Sequence, residues 1–296
     1  MAKTLIGLVT YGGFEFSKLT IESLKETTKN PIDFFVVVGK PDDRKTLEYL
    51  VANNIKYVTH SENLGFPYGL NDIFDEAWVH NNYDNLIIVG NDIVAYENSA
   101  DSLIDFANSS DYECISALQY DVKDLVRDYP EAREYFHSEE YIITDLSTKP
   151  WELFTGYNHP KEIANMQLYD IQNMCLYRRS VFDKVGYTDV AYFPAYFVDN
   201  DYAMRMTAAN IKCCTLMNAR FFHFWSRTIF QGANRGSLRH EYFRNNEAYY
   251  KYKFGGYVGR EVGVPTIKIS DRSKEKDIIN FWKSKVKINL TMVTTE

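Results

Sequence analysis

Over the first 120 positions, short unbroken apolar runs alternate with stretches of a different period. Leu5–Thr10, Phe34–Val38 and Leu86–Val89 are apolar at nearly every position. That is the pattern of strands buried on both faces in a parallel sheet covered by helices. Lys56–Thr59 and Cys114–Leu118 read as two further strands. Helices are predicted over Phe16–Thr28, Arg44–Asn53 and roughly Tyr68–His80, where Leu70, Ile73, Phe74, Ala77 and Trp78 recur at helical spacing. Such alternation predicts βαβ units with right-handed crossovers and a mostly parallel sheet. Later, Tyr169–Tyr177 is predicted as a strand. Val198–Ala209 is predicted as a helix opened by acidic residues, which suit its positive end. Val122–Pro160 is charged and aromatic without a period, so residues 122–168 read as an insertion or lid.

The bulk numbers narrow the class. At 45% hydrophobic and 16% aromatic residues over 296 positions, the chain can build a sizeable core, which excludes global disorder. The division expected is a catalytic domain over 1–230 followed by a basic helical extension over 231–296. Cys114, Cys175, Cys213 and Cys214 have no CxxC or metal-finger spacing and are expected to be reduced and mostly buried, as in a cytoplasmic protein. The apolar stretch after Met1 is too brief for a signal peptide, and no run reaches the roughly 18 residues of a membrane span, so a soluble protein is expected. The net charge of −7 hides an asymmetry. From Lys212 onwards 16 Lys and Arg face 7 Asp and Glu, while residues 1–211 are strongly acidic. A basic third could steer a polyanionic acceptor, or it is simply a solvated basic helix and tail.

Three acidic clusters stand out: Asp42-Asp43, Asn91-Asp92 and Asp199-Asn200-Asp201. The first two follow apolar runs ended by Gly39 and Gly90. In open α/β sheets ligands bind outside the carboxyl ends of the strands, and carboxylates placed there are poor packing material but good partners for a metal ion or a ribose. Each cluster also has a plainer reading. Gly90-Asn91-Asp92 are turn formers, Asp42-Asp43 can be a polar loop, and Asp199 and Asp201 can be a helix cap and first-turn acid.

Taken in order, the motifs resemble those of glycosyltransferase family 2, over about 250 residues from Leu5 to Gly256. The resemblance rests on Leu8-Val9-Thr10-Tyr11; Asn63-Leu64-Gly65-Phe66 with Gly69 and Asn71; and Ile88-Val89-Gly90-Asn91-Asp92-Ile93. It continues through Cys175–Arg179 with Phe182–Gly186, Phe197–Asp201 with Met204-Arg205, and His223 with Ser226. The stretch Arg244–Gly256 looks like the C-terminal helix of soluble bacterial and phage members.

The resemblance implies an α/β fold of the GT-A (Rossmann-like) type, a mostly parallel sheet flanked by helices with a helical, aromatic C-terminal extension. It implies transfer of a sugar, hexosyl or pentosyl, from a nucleotide-sugar donor, a UDP-sugar by family frequency. The transfer would depend on Mn²⁺ or Mg²⁺ and proceed with inversion. Asp92 is the first choice for metal ligand, as the second acid of a DXD motif whose first position here is Gly90, with Asn91 as polar helper. His223 is a candidate further ligand, or a core histidine. Asp199 is the candidate general base, although Val198 stands where the family often has Glu. The donor is expected against Thr10, Tyr11, Asp42 and Asp43, with Asn63, Gly65, Gly69 and Asn71 in a loop passing close to it. Asp201, Arg205 and Trp225 are assigned to the acceptor or to orienting the site, Asp201 having Arg205 one helical turn away. Arg227, Arg235 and Arg239 are candidates to hold the diphosphate.

The acceptor is left between a saccharide and a hydroxymethylated base in phage DNA. The basic third and the 23 Tyr and 19 Phe suit either base stacking or sugar stacking. A nucleotidyltransferase or a non-catalytic nucleotide-sugar-binding protein on the same scaffold is the alternative. Against the former, Thr10–Glu15 has two glycines but no cation before Lys18.

Overall fold

A computed structural model describes residues 2–120, 136–137, 142–143, 162–166, 173–224, 237–264 and 266–293. The first half alternates as its pattern predicts: β1 (Thr4–Thr10), α1 (Phe14–Thr27), β2 (Ile32–Val38), α2 (Arg44–Ala52), β3 (Lys56–Thr59), α3 (Phe66–Phe74) and β4 (Asn85–Val89). There follow β5 (Ile93–Ala95), α4 (Ser99–Ser109), β6 (Cys114–Tyr120), a two-residue pair β7 (Phe136–His137) and β8 (Ile142–Ile143), and β9 (Ile163–Ala164). The rest comprises β10 (Met174–Arg178), α5 (Arg179–Val185), α6 (Val198–Ala208), β11 (Cys213–His223), α7 (Ser237–Phe254) and α8 (Glu275–Val293).

The main sheet runs β3-β2-β1-β4-β10-β6-β11-β5, with β9 added on β11. The β3-β2-β1-β4 half is parallel throughout. The other half is mixed, because β10 runs antiparallel to both β4 and β6 while β6 and β11 are parallel. One apolar layer covers each face. On one side Leu70, Ile73, Phe74 and Trp78 pack with Tyr177, Tyr202 and Phe254. On the other, Ile21 and Leu24 of α1 and Leu103 and Ile104 of α4 pack on Ile6, Leu8, Ile87 and Phe221. Strands lined by both layers have no polar face, which is why their sequences read as unbroken apolar runs.

Two expectations need correction. The helix expected over Tyr68–His80 starts at Phe66, with Pro67 in its first turn, and relaxes into a π-helical turn at Asp75–Val79. Proline is suited to a first turn, where its missing N–H has no intrahelical partner. The later strand is Met174–Arg178, and the earlier part of its expected span lies outside the described residues. The sheet is mostly parallel, as expected, with β10 set antiparallel between β4 and β6. The proposed lid over 122–168 also lies almost wholly outside the described residues. The four cysteines are free, with Cys114 Sγ 3.4 Å from Cys175 Sγ and burial pushing the Cys114 thiol well up. Among the described residues no helix is long and apolar enough to cross a membrane.

Candidate active site

Register determines what gathers at one edge of the sheet. Val38 of β2 pairs with Thr10 of β1, Leu8 of β1 with Val89 of β4, and Met174 of β10 with Val89. The carboxyl ends of three parallel strands and the amino end of β10 therefore lie side by side. Tyr11, Gly39, Asn91, Asp92 and Asn173 lie just beyond them. At the far side, β5 pairs with β11 so that Ile93 faces His223. Asp92 immediately precedes β5, and its backbone oxygen accepts from the Phe224 amide at 2.9 Å. The side chains meet, with His223 Nε2 3.1 Å from Asp92 Oδ1. Two residues 131 positions apart are thus joined by one strand register.

Helix α1 holds this short strand in place. Thr20 Oγ1 donates to the Ile93 oxygen at 2.9 Å and accepts from the Ile93 amide at 3.1 Å, while the Ala95 amide donates to Ser23 Oγ at 3.1 Å. The three-residue strand that follows Asp92 is tied through side-chain hydroxyls as well as through its ladder. Asn91 Nδ2 lies 3.5 Å from Thr10 Oγ1, which is itself 2.7 Å from Ser17 Oγ and donates to the Gly12 oxygen. The Thr10 hydroxyl is buried and committed to this net. Tyr11 beside it is 44% exposed and presents a free ring.

Asp43 is the N-cap of α2, taking the Thr46 amide and hydroxyl at 3.3 and 2.7 Å, which leaves Asp42 as the exposed carboxylate at the end of β2. Asn63 Oδ1 accepts from the Gly65 amide at 2.8 Å. Gly65 has φ +85, and a Cβ there would meet Phe193 at 2.8 Å and the Pro194 oxygen at 3.0 Å. A Cβ on Gly69 would meet Val9 at 2.9 Å. Both glycines therefore permit close approach of protein to protein. Asn71 is fully buried, donating to Glu275 Oε1 at 2.6 Å and to the Thr188 oxygen at 3.1 Å, so it braces α3 and does not line the edge.

The Phe66 amide donates to the Pro194 oxygen at 2.7 Å, which seats the segment leading into α6 against the Asn63–Gly65 loop. Tyr196 and Phe197 both have left-handed backbones, φ 73 and 63, immediately before α6. Two consecutive aromatic residues in that region cost energy, and such strain collects at functional sites. Asn246 of α7 holds the segment, its amide donating to the oxygens of Tyr192 and Ala195 at 3.0 and 2.5 Å. Asp199, in the first turn of α6, is half-buried, and burial pushes its carboxyl up to about 6 although the Asn200 amide donates to it at 2.9 Å. A carboxylate so tuned is matched to proton abstraction near neutral pH.

Asp201 and Arg205 are both 0% exposed. Arg205 Nε donates to Asp201 Oδ1 at 2.6 Å, and its other nitrogens donate to the oxygens of Val185, Tyr187 and Ile267. Lys253 Nζ adds a contact to Asp201 Oδ2 at 2.5 Å. This pair anchors the helix that carries Asp199 and has no surface left for an acceptor. Trp225, Arg227 and Arg235 lie outside the described residues, as does the Arg239 side chain.

Sequence reading missed Gln119 and Asn173. Gln119 Oε1 accepts from Asn173 Nδ2 at 3.1 Å and lies 3.2 Å from His223 Nδ1. The signal was present, since Gln119 ends the run Cys114–Leu118 just as Asp92 follows Leu86–Val89. Asn246 carried no signal: an asparagine inside a helical stretch reads as solvent-facing.

Asp92 and His223 fit a divalent cation as a two-residue foot. Neighbouring ligands of an octahedral ion bound at about 2.1 Å are roughly 3 Å apart, the separation observed. A carboxylate oxygen and an imidazole nitrogen at that distance also require a proton or a cation between them. Among the described residues no group of three or more His, Cys, Asp or Glu is placed to hold a metal ion. The remaining positions would fall to water and ligand oxygens, as is usual for Mg²⁺ with phosphates.

No family model matches the chain, and no curated protein matches its sequence. Solved structures do. A mannosyltransferase from Pyrobaculum calidifontis in complex with GDP-Man and Mn²⁺ superposes with a TM-score of 0.53 at 11% identity, covering 76% of this chain and 57% of that one. GalNAc-T7 with UDP, GalNAc and Mn²⁺ gives 0.54 at 12% identity, over 75% of this chain and 44% of that one. Residues 1–349 of S. aureus TarS in complex with UDP give 0.51 at 14% identity, over 86% and 72%. The chain spans about half the length of the first two. At these identities the likeness establishes the fold, and the fold is that of GT-A glycosyltransferases.

Proposed function

We propose that this chain is a metal-dependent glycosyltransferase that moves a sugar from a nucleotide-sugar donor to an acceptor hydroxyl with inversion. The observation that carries the reading is the Asp92–His223 pair, 3.1 Å apart at the carboxyl edge of a GT-A sheet. Asp92 and His223 would hold Mn²⁺ or Mg²⁺, which when bound supplies positive charge against a departing nucleoside diphosphate. Tyr11 offers its ring to the donor base, and Asp42 accepts hydrogen bonds from a ribose. Asn91, next to Asp92 in the chain, is tied to the end of β1 by its contact with Thr10. Asp199 takes the proton from the acceptor hydroxyl as that oxygen attacks the sugar carbon. Buried Asp201 and Arg205 keep the Asp199 helix fixed while it does so. The nucleotides named in the structural neighbours' complexes, GDP-Man and UDP, define which nucleotide sugars to try first. The acceptor is a saccharide or a hydroxymethylated base.

The test is nucleotide release from UDP- and GDP-sugars with Mn²⁺ or EDTA, with and without simple saccharides or hydroxymethylated DNA. Metal-dependent release that Asp92→Ala abolishes is expected. Stimulation by one acceptor class identifies the acceptor, and DNA binding without a steep loss with salt would sink the DNA branch. If no donor is turned over with any acceptor, even by slow hydrolysis, and Asp199→Asn changes nothing, the protein is a nucleotide-sugar-binding module instead.

A further inference from the structure

Behind the Asp92–His223 pair stands a polar chain that is not itself a ligand set. Gln119 lies in β6 opposite Phe221 of β11, and His223 is two residues further along, on the same face of its strand. Gln119 therefore reaches the far nitrogen of the imidazole, with its Oε1 3.2 Å from Nδ1. The same oxygen accepts from Asn173 Nδ2 at 3.1 Å, and the Asn173 backbone oxygen accepts from the Gly90 amide at 2.9 Å. The chain thus closes on the loop that bears Asp92.

A side-chain carbonyl can only accept. With Gln119 Oε1 against it, Nδ1 must carry a proton, and the neutral imidazole is left with its lone pair on Nε2, the atom facing Asp92. Turning both amides over would reverse this. Gln119 would then donate to Nδ1, Nε2 would carry the proton, and Asp92 would simply accept it. The first arrangement binds a cation and the second does not.

On the proposed metal-dependent reading, we infer that Gln119 is the positioning residue of the metal centre, its side-chain oxygen fixing the His223 tautomer that presents Nε2 to the cation shared with Asp92. Asn173 in turn fixes which way Gln119 faces. Such outer partners change metal affinity by about 10- to 100-fold in other sites.

The experiment is an electron paramagnetic resonance titration of Mn²⁺ into the full chain, alone and with UDP or GDP, which needs neither sugar nor acceptor. Gln119→Leu removes the acceptor, and Mn²⁺ affinity should fall about 10- to 100-fold with the melting temperature held. Gln119→Glu keeps an acceptor-only group at that place and should stay within about threefold of wild type or tighten. Wild-type affinity in Gln119→Leu, or loss of Mn²⁺ in a folded Gln119→Glu, overturns the inference while Asp92→Ala still abolishes binding. Should Gln119→Leu fail to fold, Gln119→Met is read by the same criterion. If Asp92→Ala and His223→Ala bind Mn²⁺ like wild type, it is the metal centre itself that fails, and the inference goes with it.

Discussion

Asp199, the proposed base, illustrates how much of a side chain's chemistry lies in its surroundings. The sequence marks it as an acid in the first turn of a helix, a position where the helix dipole favours the charged form. Burial opposes that and wins, holding the carboxyl near 6 against an ordinary 3.8. Two consequences follow from this shift. As a base Asp199 must be ionised, so kcat/KM should rise with pH up to about 6 and level off above it. Asp199→Asn should lower turnover by about 10² or more while donor binding survives. On stability the sign is opposite. A carboxyl raised by folding favours the folded state when protonated, a contribution whole below about pH 4 and lost as pH rises through 6. Asp199→Asn should therefore stabilise the protein at pH 8, by up to about 2 kcal/mol once partial access to water is discounted. Urea unfolding at pH 8 and pH 4 checks this. Destabilisation at pH 8 would show that the ionised carboxylate is a favourable structural group and not a strained base. Asp92 was legible because a carboxylate after an apolar strand has no packing use. The raised Asp199 carboxyl was not, because burial at a loop–helix junction depends on residues from α7 far along the chain.

Among the elements, the segment 192–199 carries the proposed base, and it is held by an element the sequence places elsewhere. Phe197 packs against Phe243 and Tyr250 with ring centroids 5.1 and 5.6 Å apart, so α7 supplies the wall as well as the Asn246 clamp. Asn246→Leu keeps the volume and deletes the donors, leaving the Tyr192 and Ala195 oxygens unpaired. A loss of about 1–3 kcal/mol is expected, together with a fall in kcat that exceeds the change in donor KM, since the base moves and the donor edge does not. Thermal unfolding with steady-state kinetics separates the two. A change in donor KM alone would show that the segment serves binding instead. Helix periodicity and strand runs gave α1, α2 and β1–β4 within a few residues, because each has one strong local period. It gave no strand for β5, which is three residues long and owes its place to Thr20 and Ser23 of α1 and to β11. Nor did it reveal α4, whose Ser99–Ser109 sequence mixes serine and aspartate with few strong helix formers.

At the scale of the molecule the issue is whether residues 231–296 form an appendage. Tyr250 and Phe254 are fully buried in the same layer as Phe74 and Trp78 of the N-terminal half. Lys253 bridges Asp189 and Asp201 at 2.6 and 2.5 Å, and its ammonium holds the Asp189 carboxyl low against the opposing effect of burial. Arg272 pairs with Asp72, Asp75 and Glu275, and Glu275 reaches Asn71. Burial pushes the Glu275 carboxyl up to about 7 in spite of Arg272. Like Asp199, it contributes stability that is whole below its unfolded value and lost as pH rises through 7, so Glu275→Gln should flatten the decline in melting temperature between about pH 5 and pH 7. Deleting residues 237–296 is a harsher test. It would strip buried partners from two carboxylates, at about 3–5 kcal/mol for a broken buried pair. It would also open the cavities of Tyr250 and Phe254, at about 3–5 kcal/mol for each large aromatic removed. Total stability of a domain is about 5–15 kcal/mol, so residues 1–236 alone should not fold, and the full chain should unfold in one calorimetric transition. Two separated transitions, or a truncated protein with native near-UV circular dichroism, would restore the two-part division that the charge asymmetry suggests. The basic character of the C-terminal third is, in this view, partly a consequence of its inward contacts: Lys253 and Arg272 are cations supplied to the buried carboxylates of an acidic body. Charge counted along a sequence does not distinguish a cation that neutralises the protein's own interior from one that faces a ligand.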